Sequence, residues 1–157
     1  MPVHDSVAFL LAQVGAAASD QFGERVAALG LTRGESGLLR VLARSEPMTQ
    51  RALAAHLELV PSRLVVLVDE LAGRGLIERK PDASDRRAHA VRLTPAGREL
   101  MSRLSLVARE HDHTFCAPLN AGERTQLGEL LQKLAASHGL RPNVHPGYKK
   151  LQPRGRR

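Results

Sequence analysis

The chain has 157 residues, which is enough for one domain with a sizeable core. Hydrophobic residues make up 43% and charged residues 25%, a composition typical of water-soluble globular proteins. Aromatic residues make up only 3% and tryptophan is absent, which disfavours the aromatic stacking surfaces of single-strand nucleic-acid binders. No apolar run approaches the ~18 residues of a membrane span, and no secretion signal begins the chain. The single cysteine excludes an intrachain disulfide, so we expect a cytoplasmic protein.

The net charge of +7 is unevenly distributed along the chain. The segment after His138 contains six Lys or Arg residues and no acidic residue, so the rest of the chain has a net charge of only +1. Within residues 44–98, ten Lys or Arg residues stand against seven acidic residues. A basic excess confined to one segment is typical of a surface that faces nucleic acid. We expect residues 141–157 to form a flexible basic tail, which either attracts phosphates non-specifically or has no role.

In chain order, the first predicted elements are two amphipathic helices. Apolar residues at helical spacing predict a long first helix over residues 5–28: Val7, Leu11, Val14, Ala18, Phe22 and Val26. Thr32 and Glu35 have the spacing of a capping box and predict the start of the second helix, which Pro47 ends. The apolar face of the first helix either packs in the core or helps to build a dimer interface.

Residues 49–73 predict a helix-turn-helix. Thr49 is the expected cap of its first helix, and Pro61 suits the first position of its second because the fixed φ of proline is already helical. Assigning 100° per residue places four apolar residues on one face of that second helix: Leu64, Leu67, Val68 and Leu71. The opposite face carries Ser62, Arg63, Val66 and Asp69. A DNA-reading helix needs this division, although an ordinary surface helix in an α-helical bundle shows it as well.

A basic hairpin follows the helix-turn-helix. Residues 76–80 and 89–93 have the pattern of short strands, and the second alternates apolar and polar residues with a period of two. The loop between them is rich in proline, aspartate and serine and ends in Arg86 and Arg87. Adjacent arginines at a hairpin tip can lie along a phosphate backbone or enter a minor groove. Asp85 is placed to fix an arginine side chain by a charge-assisted bond. The alternative is an exposed loop with mixed charges.

Two further helices complete the pattern. Thr94 and Pro95 predict the cap and first position of a long helix that Pro118 ends, with a buried face of Leu100, Leu104, Val107, His111 and Phe115. Asn120 and Glu123 predict the start of a last helix, with Leu127, Leu130, Leu131 and Leu134 on one face. These outer helices have more apolar surface than a small domain needs to cover itself, which favours a dimer.

Two motifs in this chain resemble those of the MarR family of winged helix-turn-helix regulators. The hairpin matches the pattern D-x-R-x-x-x-V-x-L-T at Asp85, Arg87, Val91, Leu93 and Thr94, followed by Pro95-Ala96-Gly97. The preceding helix matches P-S-x-x-x-x-L-V-D-x-L-x-x-x-G-L-I from Pro61-Ser62 through Leu67-Val68-Asp69 and Leu71 to Gly75-Leu76-Ile77. The two motifs have the separation expected in that family, and the wider helical pattern resembles it over roughly residues 5–138.

The resemblance implies a mainly α fold with a small β-wing. A winged helix-turn-helix at about residues 32–94 would be flanked by dimerisation helices at about residues 5–28 and 95–137, all within one domain of residues 1–140. It implies a transcriptional regulator, commonly a repressor, that binds a pseudo-palindromic double-stranded DNA operator as a homodimer. Family members commonly bind a small, often phenolic or anionic, effector in a pocket between the dimerisation helices and the winged helix. No cofactor is implied, and the sequence does not identify the pocket residues.

The resemblance and the residue types together predict a set of DNA-binding residues. They lie at the start of the helix-turn-helix, on its second helix and in the wing: Thr49, Gln50, Arg51, Ser62, Arg63, Val66, Asp85, Arg86 and Arg87. Many family members have polar or basic residues where this chain has Val65 and Val66. We therefore expect Ser62 and Arg63 to be the main base readers, with Val66 limited to apolar contacts such as a thymine methyl.

Two other classes of function remain open from the sequence. The apolar Val65 and Val66 favour a winged helix used for protein contact, and Cys116 or the cluster of Glu110, His111 and His113 favours a redox or metal sensor. The spacing of His111 and His113 does not place both imidazoles on one helical face, so a metal site is disfavoured. Cys116 is expected to be a small core residue. No nucleophile motif, phosphate-binding glycine loop or acidic pair indicates an enzyme.

Overall fold

The computed structural model of the chain describes residues 6–85 and 87–145. These residues form six helices and three short strands: α1 (Val7–Ala27), α2 (Arg33–Arg44), β1 (Met48–Thr49), α3 (Gln50–Leu57), α4 (Pro61–Gly73), β2 (Ile77–Pro81), β3 (His89–Leu93), α5 (Pro95–Phe115) and α6 (Ala121–Ser137). The predicted mainly α fold with a small β-wing is confirmed. Within the described ranges, no helix is both long and apolar enough to cross a membrane.

Side-chain caps fix most of the helix starts, as the sequence predicted. Thr49 and Thr94 each accept a hydrogen bond from a backbone N–H three residues later and so cap α3 and α5. The predicted capping boxes at the starts of α2 and α6 are both present. Helix α4 differs because Val60 provides no side-chain cap and Pro61 occupies the first position, where its missing N–H is not needed. Local sequence therefore determines where these helices begin.

The sheet has three antiparallel strands in the order β1-β3-β2. The predicted hairpin is β2 and β3, in which Ile77 pairs with Leu93 and Pro81 with His89. The sequence did not predict β1, whose two residues pair with Val91 and Ala90 of β3. This short strand ties the start of the helix-turn-helix to the wing.

The core lies between the helix-turn-helix, the sheet and the start of α5. Its fully buried side chains come mainly from α2, α3 and α4, and include Leu39, Leu53, Leu64 and Val68. The apolar face predicted for the long helix α5 is buried only at its start, where Leu100 and Leu104 enter this core; Val107, His111 and Phe115 are half-buried.

Helices α1 and α6 keep most of their apolar side chains outside this core. In α1 only Val26 is buried, whereas Val7 is 68% exposed and Val14 is 52% exposed. The interpretation of α1 as a core helix is therefore wrong for its N-terminal part. Helix α6 buries no residue, and its four leucines at positions 127, 130, 131 and 134 are 40–53% exposed. Nothing in the described chain covers these two apolar faces.

The first turn of α5 packs closely against the residues that precede β2. A Cβ atom added to Gly97 would lie 1.9 Å from the carbonyl oxygen of Leu76, so only glycine fits there. Thr94 reinforces the contact because its backbone N–H donates to the same carbonyl at 3.1 Å and its hydroxyl donates to Gly75 O at 2.6 Å. The sequence Thr-Pro-Ala-Gly therefore locks the long helix to the base of the wing.

The residues after α6 return to the helix-turn-helix. The Arg141 guanidinium donates to the carbonyl oxygens of Ala55 and His56 at 2.9 and 3.0 Å, which are exposed at the end of α3. A flexible tail was expected from residue 141, but residues 141–145 are held by such contacts. Residues 146–157 of that expected tail lie outside the described residues.

Candidate nucleic-acid interface

Helix α4 divides into a buried and an exposed face, as predicted. Leu64, Val68 and Leu71 are at most 1% exposed, and Leu67 is half-buried against the core. Ser62, Arg63, Val66 and Asp69 are all exposed. The helix is thus anchored by one face, and its opposite face is exposed to solvent.

Three valines on and just before α4 are exposed. Val60, Val65 and Val66 have exposed fractions of 56%, 40% and 39%. Methyl groups cannot donate or accept hydrogen bonds, but they can contact the C5 methyl of thymine in a major groove. Any base reading at these positions is therefore by apolar contact.

The start of α3 supplies three of the predicted site residues. The Thr49 hydroxyl oxygen accepts from the Ala52 N–H at 3.1 Å, so this group is already engaged as the helix cap. Gln50 is half-buried and Arg51 is exposed. The first backbone N–H groups of a helix and an exposed cation favour an anionic partner at this end.

An aspartate organises the loop of the wing. The Asp82 carboxylate accepts hydrogen bonds from the backbone N–H groups of Ser84 at 2.7 Å and Asp85 at 3.1 Å, and from the Ser84 hydroxyl. These bonds, led by the one from the Ser84 hydroxyl, hold the pKa of Asp82 below its ordinary value. The carboxylate is therefore ionised at neutral pH and keeps the loop in one conformation.

Of the two adjacent arginines in the wing loop, the structure describes only Arg87. Arg87 is exposed, and its backbone N–H donates to the Asp85 carboxylate at 2.9 Å. Asp85 was expected to hold an arginine side chain, but at Arg87 it holds the main chain instead, because a carboxylate two residues earlier reaches the backbone in a tight turn. Arg86 lies outside the described residues.

Sequence reasoning missed Arg79, which connects the wing to both helices of the helix-turn-helix. Its Nε–H donates to Gln50 Oε1 at 2.6 Å, and its guanidinium forms an ion pair and hydrogen bond with Asp69. The available signal was the alternation of β2, which puts Arg79 on the same face as buried Ile77 and opposite to Glu78. That alternation gives the direction of Arg79 but not its partners.

The other face of the wing carries a separate charge cluster. Glu78 accepts a hydrogen bond from Arg92 Nε–H at 2.8 Å and forms an ion pair with Lys80 at 3.4 Å. The bond from Arg92 is the main reason that the pKa of Glu78 lies below its ordinary value. Arg92 and Lys80 are thus partly neutralised by one carboxylate.

A cleft of about 520 Å³ lies between α1, α2 and α5. Phe22 and His111 give it an aromatic wall, with their ring centroids 5.5 Å apart. Behind that wall, the His111 ring also contacts Phe115 at 5.6 Å. Arg33 and Arg40 line the cleft from α2. Burial and then the charges of Arg40 and Arg33 lower the pKa of His145, which also lines it. The cleft thus combines an aromatic wall with a positive field.

Comparison with known proteins decides the family. The model of the MarR family matches residues 29–88, which span the helix-turn-helix and most of the wing. A putative transcriptional regulatory protein for the hcr operon of Thauera aromatica is 34% identical over 137 residues, covering 84% of this chain and 82% of that protein. The chain belongs to the MarR family.

Solved structures of MarR-family proteins have the same fold. The Mycobacterium tuberculosis MarR-family protein Rv2887, in complex with DNA, is 28% identical with a TM-score of 0.72, covering 82% of this chain and 97% of that one. CouR from Rhodococcus jostii RHA1, bound to p-coumaroyl-CoA, is 30% identical with a TM-score of 0.69, covering 83% of this chain and 92% of that one. Rv2887 also has a structure with p-aminosalicylic acid, at 28% identity and a TM-score of 0.68, covering 83% and 98% of the two chains.

Membership of the MarR family makes this chain a DNA-binding transcriptional regulator and not an enzyme. The residues considered for metal or redox sensing have other surroundings. His111 packs between two phenylalanines, and Glu110 forms an ion pair with Arg25 at 3.8 Å. The part of the chain that the structure describes has no group of three His, Cys, Asp or Glu residues able to hold a metal ion. Cys116 is half-buried at the end of α5 rather than in the core.

Proposed function

We propose that this MarR-family regulator is a homodimeric repressor that acts in the cytoplasm, binds a pseudo-palindromic operator and responds to a small effector. The observation that carries the proposal is the exposed face of α4, which is anchored from behind by buried leucines and joined to α3 and the wing through Arg79. An anchored helix beside a basic wing is the arrangement that inserts into a major groove while the wing holds the flanking backbone.

We propose distinct roles for the predicted site residues. Ser62 and Arg63 donate hydrogen bonds to base edges, and Val66 contacts a thymine methyl. At the start of α3, Gln50 and Arg51 bind a phosphate, with Thr49 shaping the helix start as its cap. In the wing, Asp85 orders the turn, and Arg86 and Arg87 bind the backbone or the minor groove.

We propose that a second copy of this chain covers the exposed apolar faces of α1 and α6. The leucines of α6 lie on one face, and α1 adds further exposed residues such as Phe9 and Leu10. Exposed apolar helix faces of this kind are typical of an interface. In a two-fold dimer, each chain would contribute one domain of residues 1–140. The two α4 helices would then face successive major grooves about 34 Å apart.

The cleft between α1, α2 and α5 is the proposed effector site. The two homologues described above bind p-aminosalicylic acid and p-coumaroyl-CoA, each an aromatic acid or its thioester. The cleft of this chain suits an aromatic carboxylate, because the Phe22 and His111 rings can stack on a ring and Arg40 can attract the carboxylate. Binding between the dimer helices and α2 would change the separation of the reading heads and so the affinity for a fixed operator.

The test is selection of DNA by the purified protein. Duplexes of about 30 base pairs, long enough for two half-sites, are enriched from a random library and then titrated at several salt concentrations. We expect one inverted-repeat sequence and steeply salt-dependent binding at two chains per duplex. Enrichment of no sequence would refute the operator proposal. Benzoate and 4-hydroxybenzoate are then added to the protein–DNA complex. The cleft is supported as the effector site if either compound releases the DNA from the unmodified protein but not from an Arg40→Met variant that still binds DNA with the same affinity.

A further inference from the structure

Arg79 makes contacts that the proposed DNA-binding roles do not explain. It lies on β2, yet it bonds to Gln50, the first residue of α3, and to Asp69 on the exposed face of α4. Its side chain is about one-third exposed, at 34%, and Asp69 is 58% exposed. One guanidinium therefore joins the wing to both helices that approach DNA.

The bond to Gln50 fixes which end of the amide faces outward. A glutamine amide has an acceptor oxygen and a donor nitrogen, whereas a guanidinium has only donors. Arg79 Nε–H donates to Gln50 Oε1 at 2.6 Å. If the amide were flipped, its NH₂ donors would face the Arg79 N–H donor. The Nε2 group forms no hydrogen bond with the residues that the structure describes. Gln50 is thus presented as a hydrogen-bond donor.

The bond to Asp69 has the opposite consequence. A free carboxylate on the exposed face of α4 would repel phosphates, or would accept a hydrogen bond from the amino group of cytosine. The Arg79 guanidinium neutralises that carboxylate and occupies one of its oxygens. Asp69 is thereby withdrawn from contact with DNA although it lies on the exposed face.

We propose that Arg79 is a positioning residue for operator binding, which presents Gln50 as a donor to an acceptor atom on DNA and withdraws Asp69. The inference rests on the proposed DNA-facing role of α3 and α4. Arg79 itself does not contact phosphate. Arg79 acts through Gln50 and Asp69, and it thereby couples the wing to the helix-turn-helix.

A mutant cycle on the selected duplex separates this role from that of an ordinary phosphate-binding arginine. Arg79→Ala should lower operator affinity about ten-fold, the scale of one well-placed polar contact. In a Gln50→Ala, Asp69→Ala background the same change should have less than about a two-fold effect, because neither side chain can then accept a hydrogen bond from Arg79. The slope of log affinity against log salt should stay unchanged, since Arg79 neutralises no phosphate and Gln50 is uncharged.

Arg92→Ala is the matched control. It removes the same charge from the same wing, but Arg92 bonds to Glu78 on the other face of the sheet and reaches neither helix. Its effect on operator affinity should be equal in both backgrounds. Unfolding curves for every variant, together with Arg79→Lys as a milder change, separate a binding defect from a folding defect.

Three results would overturn the proposal. One is an equal ten-fold loss from Arg79→Ala in both backgrounds with a salt slope smaller by about 0.9, which identifies a direct phosphate contact. Another is unchanged affinity of Arg79→Ala in the unmodified background. The third needs no DNA: if Gln50→Ala leaves the NMR signal of Arg79 Nε–H unmoved, the bond does not exist in solution. This last result does not depend on whether the protein selects an operator, so it distinguishes failure of the Arg79 role from failure of the proposed function.

Discussion

Replacing Gly97 with alanine would place a methyl group 1.9 Å from the carbonyl oxygen of Leu76, where real contacts are at least about 3.0 Å. Either α5 or the base of the wing must move by about 1 Å. Overpacking of this kind costs roughly 1–3 kcal/mol. The movement also lengthens the two hydrogen bonds that Thr94 donates to Leu76 and Gly75, each with a net contribution of about 1 kcal/mol. We expect Gly97→Ala to lower the free energy of unfolding by about 3 kcal/mol.

For a chain of this length the loss corresponds to a Tm lower by roughly 6–12 °C. Thermal and urea unfolding should be followed at one fixed protein concentration, because the proposed dimerisation would make apparent stability depend on concentration. Gly73→Ala is the control: it adds the same methyl group at the end of α4, where no atom lies within 4 Å. That variant should be unchanged or slightly more stable. If Gly97→Ala unfolds within about 0.5 kcal/mol of the unmodified protein, the close approach of α5 to Leu76 is not present in solution.

Three further predictions concern the wing and the dimer. Arg87→Ala should weaken operator binding several-fold and reduce the salt slope by about 1; unchanged binding in a titration would remove Arg87 from the interface. Leu130→Glu should convert the dimer to monomers by sedimentation, because it buries a charge in the proposed interface, whereas Gln132→Glu should not; a dimeric Leu130→Glu protein would contradict the interface. Asp82→Ala should raise the amide exchange rate of Ser84. Because the pKa of Asp82 is lowered in the folded wing, the order it contributes is full at neutral pH and is lost as the pH falls through that lowered pKa. If the protection factor of the Ser84 amide, corrected for the intrinsic pH dependence of exchange, stays unaltered across this range, Asp82 does not order the loop.

The parts of the fold that the sequence predicted depend on neighbours along the chain. The caps at Thr49 and Thr94 bond to residues three positions later, and the buried face of α4 follows from helical spacing. Such patterns are complete within a few residues. The two motifs that begin at Pro61 and Asp85 predicted the family, because each has residue types at a spacing that unrelated helices and loops seldom share.

The missed parts depend on contacts between distant residues. Strand β1 has only two residues, too few to show a period, and it exists because β3 lies beside it. Arg79 and Gln50 are 29 positions apart, so no local pattern indicates their bond. The apolar spacing of α1 and α6 predicts that those faces are covered, but spacing does not state whether the cover belongs to the same chain or to a second copy.

If α4 reads bases as proposed, the three exposed valines on and before it limit how strongly this regulator rejects an incorrect base. A hydrogen-bonding side chain rejects a mismatched base because the mismatch leaves a buried polar group unpaired. Val60, Val65 and Val66 have no such group, so an incorrect base removes a contact without adding a penalty. In the proposed interface, hydrogen-bond discrimination by α4 therefore depends on Ser62 and Arg63 alone, and the rest must come from the shape of the DNA and the distance between two half-sites. In the proposed mechanism, an effector that changes this distance acts on a source of selectivity that does not depend on the valines.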